Sequence, residues 1–104
     1  MKYSIQLDKI TVSADDRQLI NNKIDRLATI ITDPYVIDLK FARDTHHAKG
    51  EVVTCIINVE QGKRVFHAER KSETVQTSLD LTLGALSQEL AHYHKKIGRV
   101  IHNK

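Results

Sequence analysis

The sequence predicts an α+β fold, a two-layer β-α-β-β-β-α sandwich whose four-stranded sheet carries both helices on one face. Three observations carry that expectation. The stretch Glu73 to Ile97 is the longest apolar-periodic run, with Val75, Leu79, Thr82, Leu83, Leu86, Leu90, Tyr93 and Ile97 recurring at three- and four-residue steps. Four shorter segments alternate apolar and polar residues instead, which is the period of a strand with one dry face. A second helical period, Leu19 to Ile31, separates the first of these segments from the other three. The first two strands then join through a right-handed crossover, and the rest form a meander. At 104 residues, 40% hydrophobic and 28% charged, the chain fits one domain over residues 1–104 with a single core.

Each element has its own signal. In strand one Tyr3, Ile5 and Leu7 alternate with Lys2, Ser4, Gln6 and Asp8. Ser13 follows as an N-cap, with Asp15 and Asp16 in a first helical turn where carboxylates favour the helix dipole. The stripe Leu19, Ile20, Ile24, Leu27 and Ile31 makes helix one, which the Thr32-Asp33-Pro34 break should end. Tyr35, Ile37, Leu39 and Phe41 then alternate with Val36, Asp38, Lys40 and Ala42 as strand two. Arg43 to Gly50 is polar and aperiodic and reads as a loop. Glu51 to Glu60 is dense in β-branched residues, with Val53, Cys55, Ile57 and Val59 on one face. Gln61, Gly62 and Lys63 turn the chain, and Arg64 to Lys71 returns as strand four with Phe66 and Ala68 inward. Ser72 is the candidate N-cap of helix two, Glu73 lies in its first turn, Lys95 and Lys96 in its last, and Gly98 is the candidate stop.

The open sheet face should be mostly wet, yet Val52, Ile56 and Val65 point to it among Thr54, Asn58, His67 and Glu69. Scattered apolar residues there are ordinary, whereas a clustered patch would mark a contact. Self- or partner association through this face is therefore the alternative function to weigh.

No residue pattern points to catalysis. His92 and His94 stand two apart on a helix, while a helical metal pair needs a spacing of four, and His46 and His47 have only Asp44 as a nearby carboxylate. No nucleophile elbow, phosphate loop or dinucleotide fingerprint occurs. Cys55, the single cysteine, sits in an apolar strand and reads as a buried structural thiol in a reducing compartment. No metal, cofactor or small-molecule substrate is expected. The N-terminal MKYSIQLDK lacks a signal-peptide core and no run reaches a membrane span, so the expected location is the cytoplasm, with no membrane partner. Gly84, inside helix two, costs that helix about 1 kcal/mol relative to alanine and points to close packing or an approaching partner.

Charge is the more informative property. Lysine and arginine number 16 against 13 acids, a formal net charge of +3. Lys23 and Arg26 lie on one flank of helix one and Arg17 on the other; Glu89, His92, Lys96 and Arg99 fall along one flank of helix two, with Lys95 toward solvent. With the helices side by side, these flanks would form one positive surface suited to phosphates.

The segment Val12-Ser13-Ala14-Asp15-Asp16-Arg17 through Lys23-Ile24-Asp25-Arg26-Leu27 resembles a motif of the ribosome hibernation-promoting factors, the family of ribosome-associated inhibitor A and the sigma-modulation proteins. Phe66-His67-Ala68 leading into Glu73 and the period of helix two is similar to the same family's last strand and its junction, and the likeness covers nearly the whole chain. The resemblance implies a double-stranded-RNA-binding-like fold and a non-enzymatic translation inhibitor. Such a factor docks on the small ribosomal subunit where mRNA and tRNA would sit. It implies basic contacts to ribosomal RNA at Arg17, Lys23, Arg26, Lys95 and Lys96, to which the charged flank adds His92 and Arg99. The chain departs from the family at Thr74, Val75 and Gln76, where an acid, an aliphatic and a tyrosine are usual, and at Ala85, Gln88 and His92, where lysine or arginine is usual. Fewer phosphate partners imply subunit binding that is weaker, tied to pH through His92, or differently aimed. With no long C-terminal extension and no acidic tail, the resemblance is to a short form.

Overall fold

The computed structural model describes residues 3–31, 34–44 and 52–102, with side chains described as far as residue 93. The element order is β1 (Tyr3–Asp8), α1 (Ala14–Ala28), β2 (Tyr35–Asp44), β3 (Val52–Gln61), β4 (Arg64–Ser72) and α2 (Val75–His102). The strands form one sheet in the order β1-β2-β3-β4. β1 runs parallel to β2 and the other two pairings are antiparallel, which is the expected crossover followed by a meander.

Register puts the odd-numbered residues of β1 to β3 on one face. Ile5 pairs with Leu39, Leu39 with Ile57, and Ile57 with Ala68, so one dry row crosses the sheet. Against that face pack Ile20, Ile24, Leu27 and Ile31 of the α1 segment and Leu79, Leu86 and Leu90 of α2, in a single buried cluster with Phe41, Val53, Cys55, Val59 and Phe66. Among the described residues both apolar stripes therefore face the core, with Val75, Leu83 and Tyr93 partly buried against it; the Ile97 side chain lies outside the described residues. Thr82, fully buried, shares its single hydroxyl proton between the Ser78 carbonyl at 2.7 Å and the Cys55 carbonyl at 3.2 Å, which ties α2 to β3.

The helix boundaries differ from those expected at three places. Ser13 caps α1 as predicted, accepting from the Asp16 N–H at 3.0 Å, but the helix ends at Ala28, ahead of Pro34. There the amides of Thr29, Ile30 and Ile31 bond three residues back at 3.2, 3.1 and 3.3 Å, and the Thr29 hydroxyl donates to the Arg26 carbonyl. The last turn thus tightens to the 3₁₀ pattern. α2 starts at Val75 with Thr74 as its N-cap, not Ser72: the Thr77 N–H donates to the Thr74 hydroxyl at 3.0 Å, while Ser72 is still paired with Val53 in the sheet. Gly98 does not stop α2, which continues to His102; glycine permits a left-handed stop without imposing one. Arg43 and Asp44, expected in a loop, extend β2 opposite Val53 and Val52. Residues 45–51, with His46 and His47, lie outside the described residues.

Candidate nucleic-acid interface

The three cationic positions of α1 occupy two different flanks. Arg17, Asn21 and Asp25 follow each other at four-residue steps and so share one line along the helix. The Tyr3 hydroxyl of β1 donates to Asn21 Oδ1 on that line. Burial pushes the Tyr3 phenol above its ordinary value, Arg17 pulls it back, and Asp25 pushes it up further. Arg17 thus stands, exposed, on the outer flank of the helix beside β1.

Lys23 and Arg26 are on the inner flank. A groove of about 230 Å³ runs between the helices, where Lys23, Arg26 and Ile30 face Asp80, Leu83 and Ser87 of α2. Lys23 Nζ lies 2.5 Å from Asp80 Oδ1, with 25% of the lysine side chain and 48% of the aspartate side chain exposed. The pair is wet and exchangeable, of the kind that contributes well under 1 kcal/mol to stability. Its significance is local charge, since the aspartate neutralises one of the two cations in the groove.

His92 lies on the opposite side of α2. A second hollow, about 430 Å³, opens at the β4 edge beside α2, where Ala85, Gln88, Glu89 and His92 face Ala68 and Arg70. The positions at which the resemblance led one to expect cations, 85, 88 and 92, all line this hollow. The expected continuous positive surface is not what the described side chains form: Arg17, the Lys23–Arg26 pair and His92 stand in three separate places. The reason is the packing of α2, which turns Asp80, Leu83 and Ser87 toward α1 and the Glu89–His92 flank away from it. Lys95, Lys96 and Arg99 are on the helical backbone of α2, and their side chains lie outside the described residues.

Two features went unread in the sequence. Asp80 carries no signal in the sequence because its partner, Lys23, is on the other helix. Lys63 and Arg64 signal only a turn and a strand start, yet the Arg64 guanidinium carbon lies 4.6 Å from the centroid of the Tyr93 ring. An aromatic at the end of the apolar stripe of α2 was the available signal.

Cys55 is the buried thiol that its strand predicted, and burial pushes it up to about 11, only partly offset by its hydrogen bond with Thr82. It is uncharged at neutral pH and is therefore a poor nucleophile. Among the described residues no three His, Cys, Asp or Glu gather where a metal would bind, and no helix is long and apolar enough to cross a membrane. On the open sheet face Val52 stands opposite Asp44, Ile56 lies between Lys40 and Glu69, and Val65 stands opposite Glu60, so charged neighbours interrupt the apolar positions.

By class the chain is a small two-layer α+β domain with charged helix flanks over a one-sided core. The family model described as sigma 54 modulation protein / S30EA ribosomal protein matches residues 3–98, and the chain belongs to that family. The resemblance seen in the helix-one motif and the β4–α2 junction is thereby borne out. Among solved structures, a ribosomal subunit interface protein from Coxiella burnetii is similar with a TM-score of 0.74 at 19% identity, covering 91% of this chain and 99% of that one. The N-terminal domain of Protein Y from Thermus thermophilus is similar with a TM-score of 0.71 at 12% identity, covering 89% and 99% respectively. At such identities these likenesses bear on the fold, which is shared nearly end to end. No curated protein sequence matches the chain.

Proposed function

We propose that this protein is a non-enzymatic, ribosome-associated translation inhibitor of the hibernation type, acting in the cytoplasm. It docks on the small ribosomal subunit by meeting ribosomal RNA phosphates with basic side chains and fills the channel used by mRNA and tRNA. The observation that carries the reading is the family match over residues 3–98. The fold shared with a ribosomal subunit interface protein accords with it. The mechanism is steric and electrostatic, without turnover: Lys23 and Arg26, together in the inter-helix groove, supply the described cations closest to one another on the helical layer. Self-association through the open sheet face ranks second, since Val52, Ile56 and Val65 do not form an unbroken patch.

Co-sedimentation with purified small subunits at two salt concentrations tests the reading. The wild type is expected to sediment at low salt and to be released at high salt. Charge reversal at both Lys23→Glu and Arg26→Glu should abolish sedimentation with the fold intact, as judged by thermal unfolding. A wild type that stays in the supernatant at low salt would rule the reading out. Undiminished association of the double variant would remove the groove from the binding surface.

A further inference from the structure

The tip of the β3–β4 hairpin carries two adjacent exposed cations, Lys63 and Arg64, that the helix-flank surface does not use. Gly62 turns the chain at φ 61°, so that Gln61 and Arg64 close the ladder across a two-residue loop. The Gly62 N–H donates to the Pro34 carbonyl at 3.1 Å, fixing the tip against the chain that leads from α1 into β2. On its other side the tip is held by α2. Arg64 lies over the Tyr93 ring, and Phe66 meets the same ring edge-on, with centroids 5.3 Å apart and planes at 67°.

Both helices run toward this end of the domain. Arg26 is in the last turn of α1, and α2 passes Tyr93 and continues to His102. At 1.5 Å rise per residue, positions 95, 96 and 99 of α2 follow Tyr93 within about 9 Å along the axis. The hairpin tip therefore stands at the same end of the domain as Arg26 and the C-terminal run of α2. A guanidinium already seated on an aromatic ring gives up less side-chain freedom on binding than a free one, and it keeps its planar donors and outer face available.

We propose that Lys63 and Arg64 form a second RNA-contacting element, which rests on the ribosome-binding reading above. Its ligand is a nucleotide of an unpaired RNA segment: Lys63 and Arg64 each meet one of its two flanking phosphates and the outer face of the Arg64 guanidinium stacks on its base. Tyr93 is the positioning residue that holds Arg64 for this contact.

The test uses the full chain and compares Lys63→Gln, Arg64→Gln and Arg64→Lys with the wild type, titrating small subunits over a salt series and recording thermal unfolding alongside. Lys63→Gln and Arg64→Gln should each weaken binding several-fold and reduce the slope of log affinity against log salt by about 0.7, the value for one phosphate contact on a single strand. Arg64→Lys should keep the slope but bind more weakly, because the charge remains while the planar stacking group is lost. Both glutamine variants binding as the wild type at every salt would overturn the proposal. A lower melting temperature for Arg64→Gln in that case would leave Arg64 as a clamp between hairpin and helix. If the wild type sediments, the Lys23→Glu/Arg26→Glu variant does not, and the hairpin variants are unaffected, the hairpin proposal alone falls. A wild type that never binds subunits removes the ribosome reading and this proposal together.

Discussion

Gly84 lies in the interior of α2 on its exposed side, and a methyl group placed at its Cβ would meet no atom within 4 Å. Its backbone is in the ordinary helical region, so alanine requires neither a change of conformation nor any displacement of neighbours. Gly84→Ala should then deliver the helix-propensity difference nearly undiluted, about 0.4–1 kcal/mol of added stability, much of it from the lost freedom of the unfolded chain. At about 4–8 °C per kcal/mol for a domain near this size, the melting temperature should rise by about 2–8 °C. Urea unfolding should show a higher midpoint with an unchanged slope, since no extra surface is buried. Ala91→Gly, at another exposed position of the same helix, should lose a similar amount. An unchanged or lower melting temperature for Gly84→Ala would refute the reasoning and show that the glycine meets a structural need absent from the open space around it. The close-packing explanation of this glycine is already removed by that open space. Gly84→Leu tests the other one: if the position is kept small for an approaching partner, subunit binding should fall while the fold stays intact.

Asp80→Asn should leave the melting temperature nearly unchanged, within about 1 kcal/mol for a wet ion pair, and should strengthen binding to small subunits by freeing Lys23 and removing an anion from the groove. The salt dependence should steepen by up to about 0.9 in slope, and the gain should vanish in a Lys23→Gln background. Weaker binding by Asp80→Asn would show that the aspartate orients Lys23 productively. Leu86→Ala, at a fully buried position of α2, should cost about 2.7–5 kcal/mol in urea unfolding; a loss under about 1 kcal/mol would contradict the described core. Alkaline unfolding gives a further check. The folded state holds the Cys55 proton up to about pH 11 against an ordinary value of 9.0, so between those values the unfolded chain binds fewer protons and stability falls as pH rises. The loss should approach about 2–3 kcal/mol, with Tyr3 acting in the same direction at higher pH. Cys55→Ala should start lower and lose less across that window, and an equal loss in both proteins would refute the assignment.

Legibility in the sequence followed the range of the physics. Side-chain direction is fixed by local period, so the alternation in β1 to β4 and the stripes of α1 and α2 gave the correct layers and sheet order. Boundaries depend on which of two hydrogen-bonded arrangements wins, and here the sequence was less informative. Ser72 and Thr74 are both acceptable caps, and the choice falls to Thr74 because Ser72 remains bonded across to β3. α1 stops at Ala28 because Thr29 offers its hydroxyl to a carbonyl of the preceding turn, ahead of the break that Pro34 signals.

Charge is the property least legible from sequence, because its effect depends on neighbours that only the packed fold supplies. Between Val75 and Tyr93, α2 carries Asp80 and Glu89 and neither lysine nor arginine, so the described helical layer offers far less positive potential than a count of basic residues along the chain suggests. Lys23 is tied to Asp80 and Arg17 is turned to the β1 side; Arg26, Lys63 and Arg64 lie toward the end of the domain that both helices approach, while Lys9, Arg70 and Lys71 are exposed at the opposite end of the sheet. Affinity for a polyanion is set by how many phosphates are met at once, not by net charge. A formal excess of three positive charges spread over every face would bind weakly, whereas the same excess concentrated at one end gives a defined footprint and a defined orientation on RNA. The arrangement of Arg26, Lys63 and Arg64 therefore predicts end-on docking, in which the sheet's open face and the β4–α2 hollow stay clear of the RNA and charge changes at Lys40, Glu69 or Glu89 leave binding nearly unaltered.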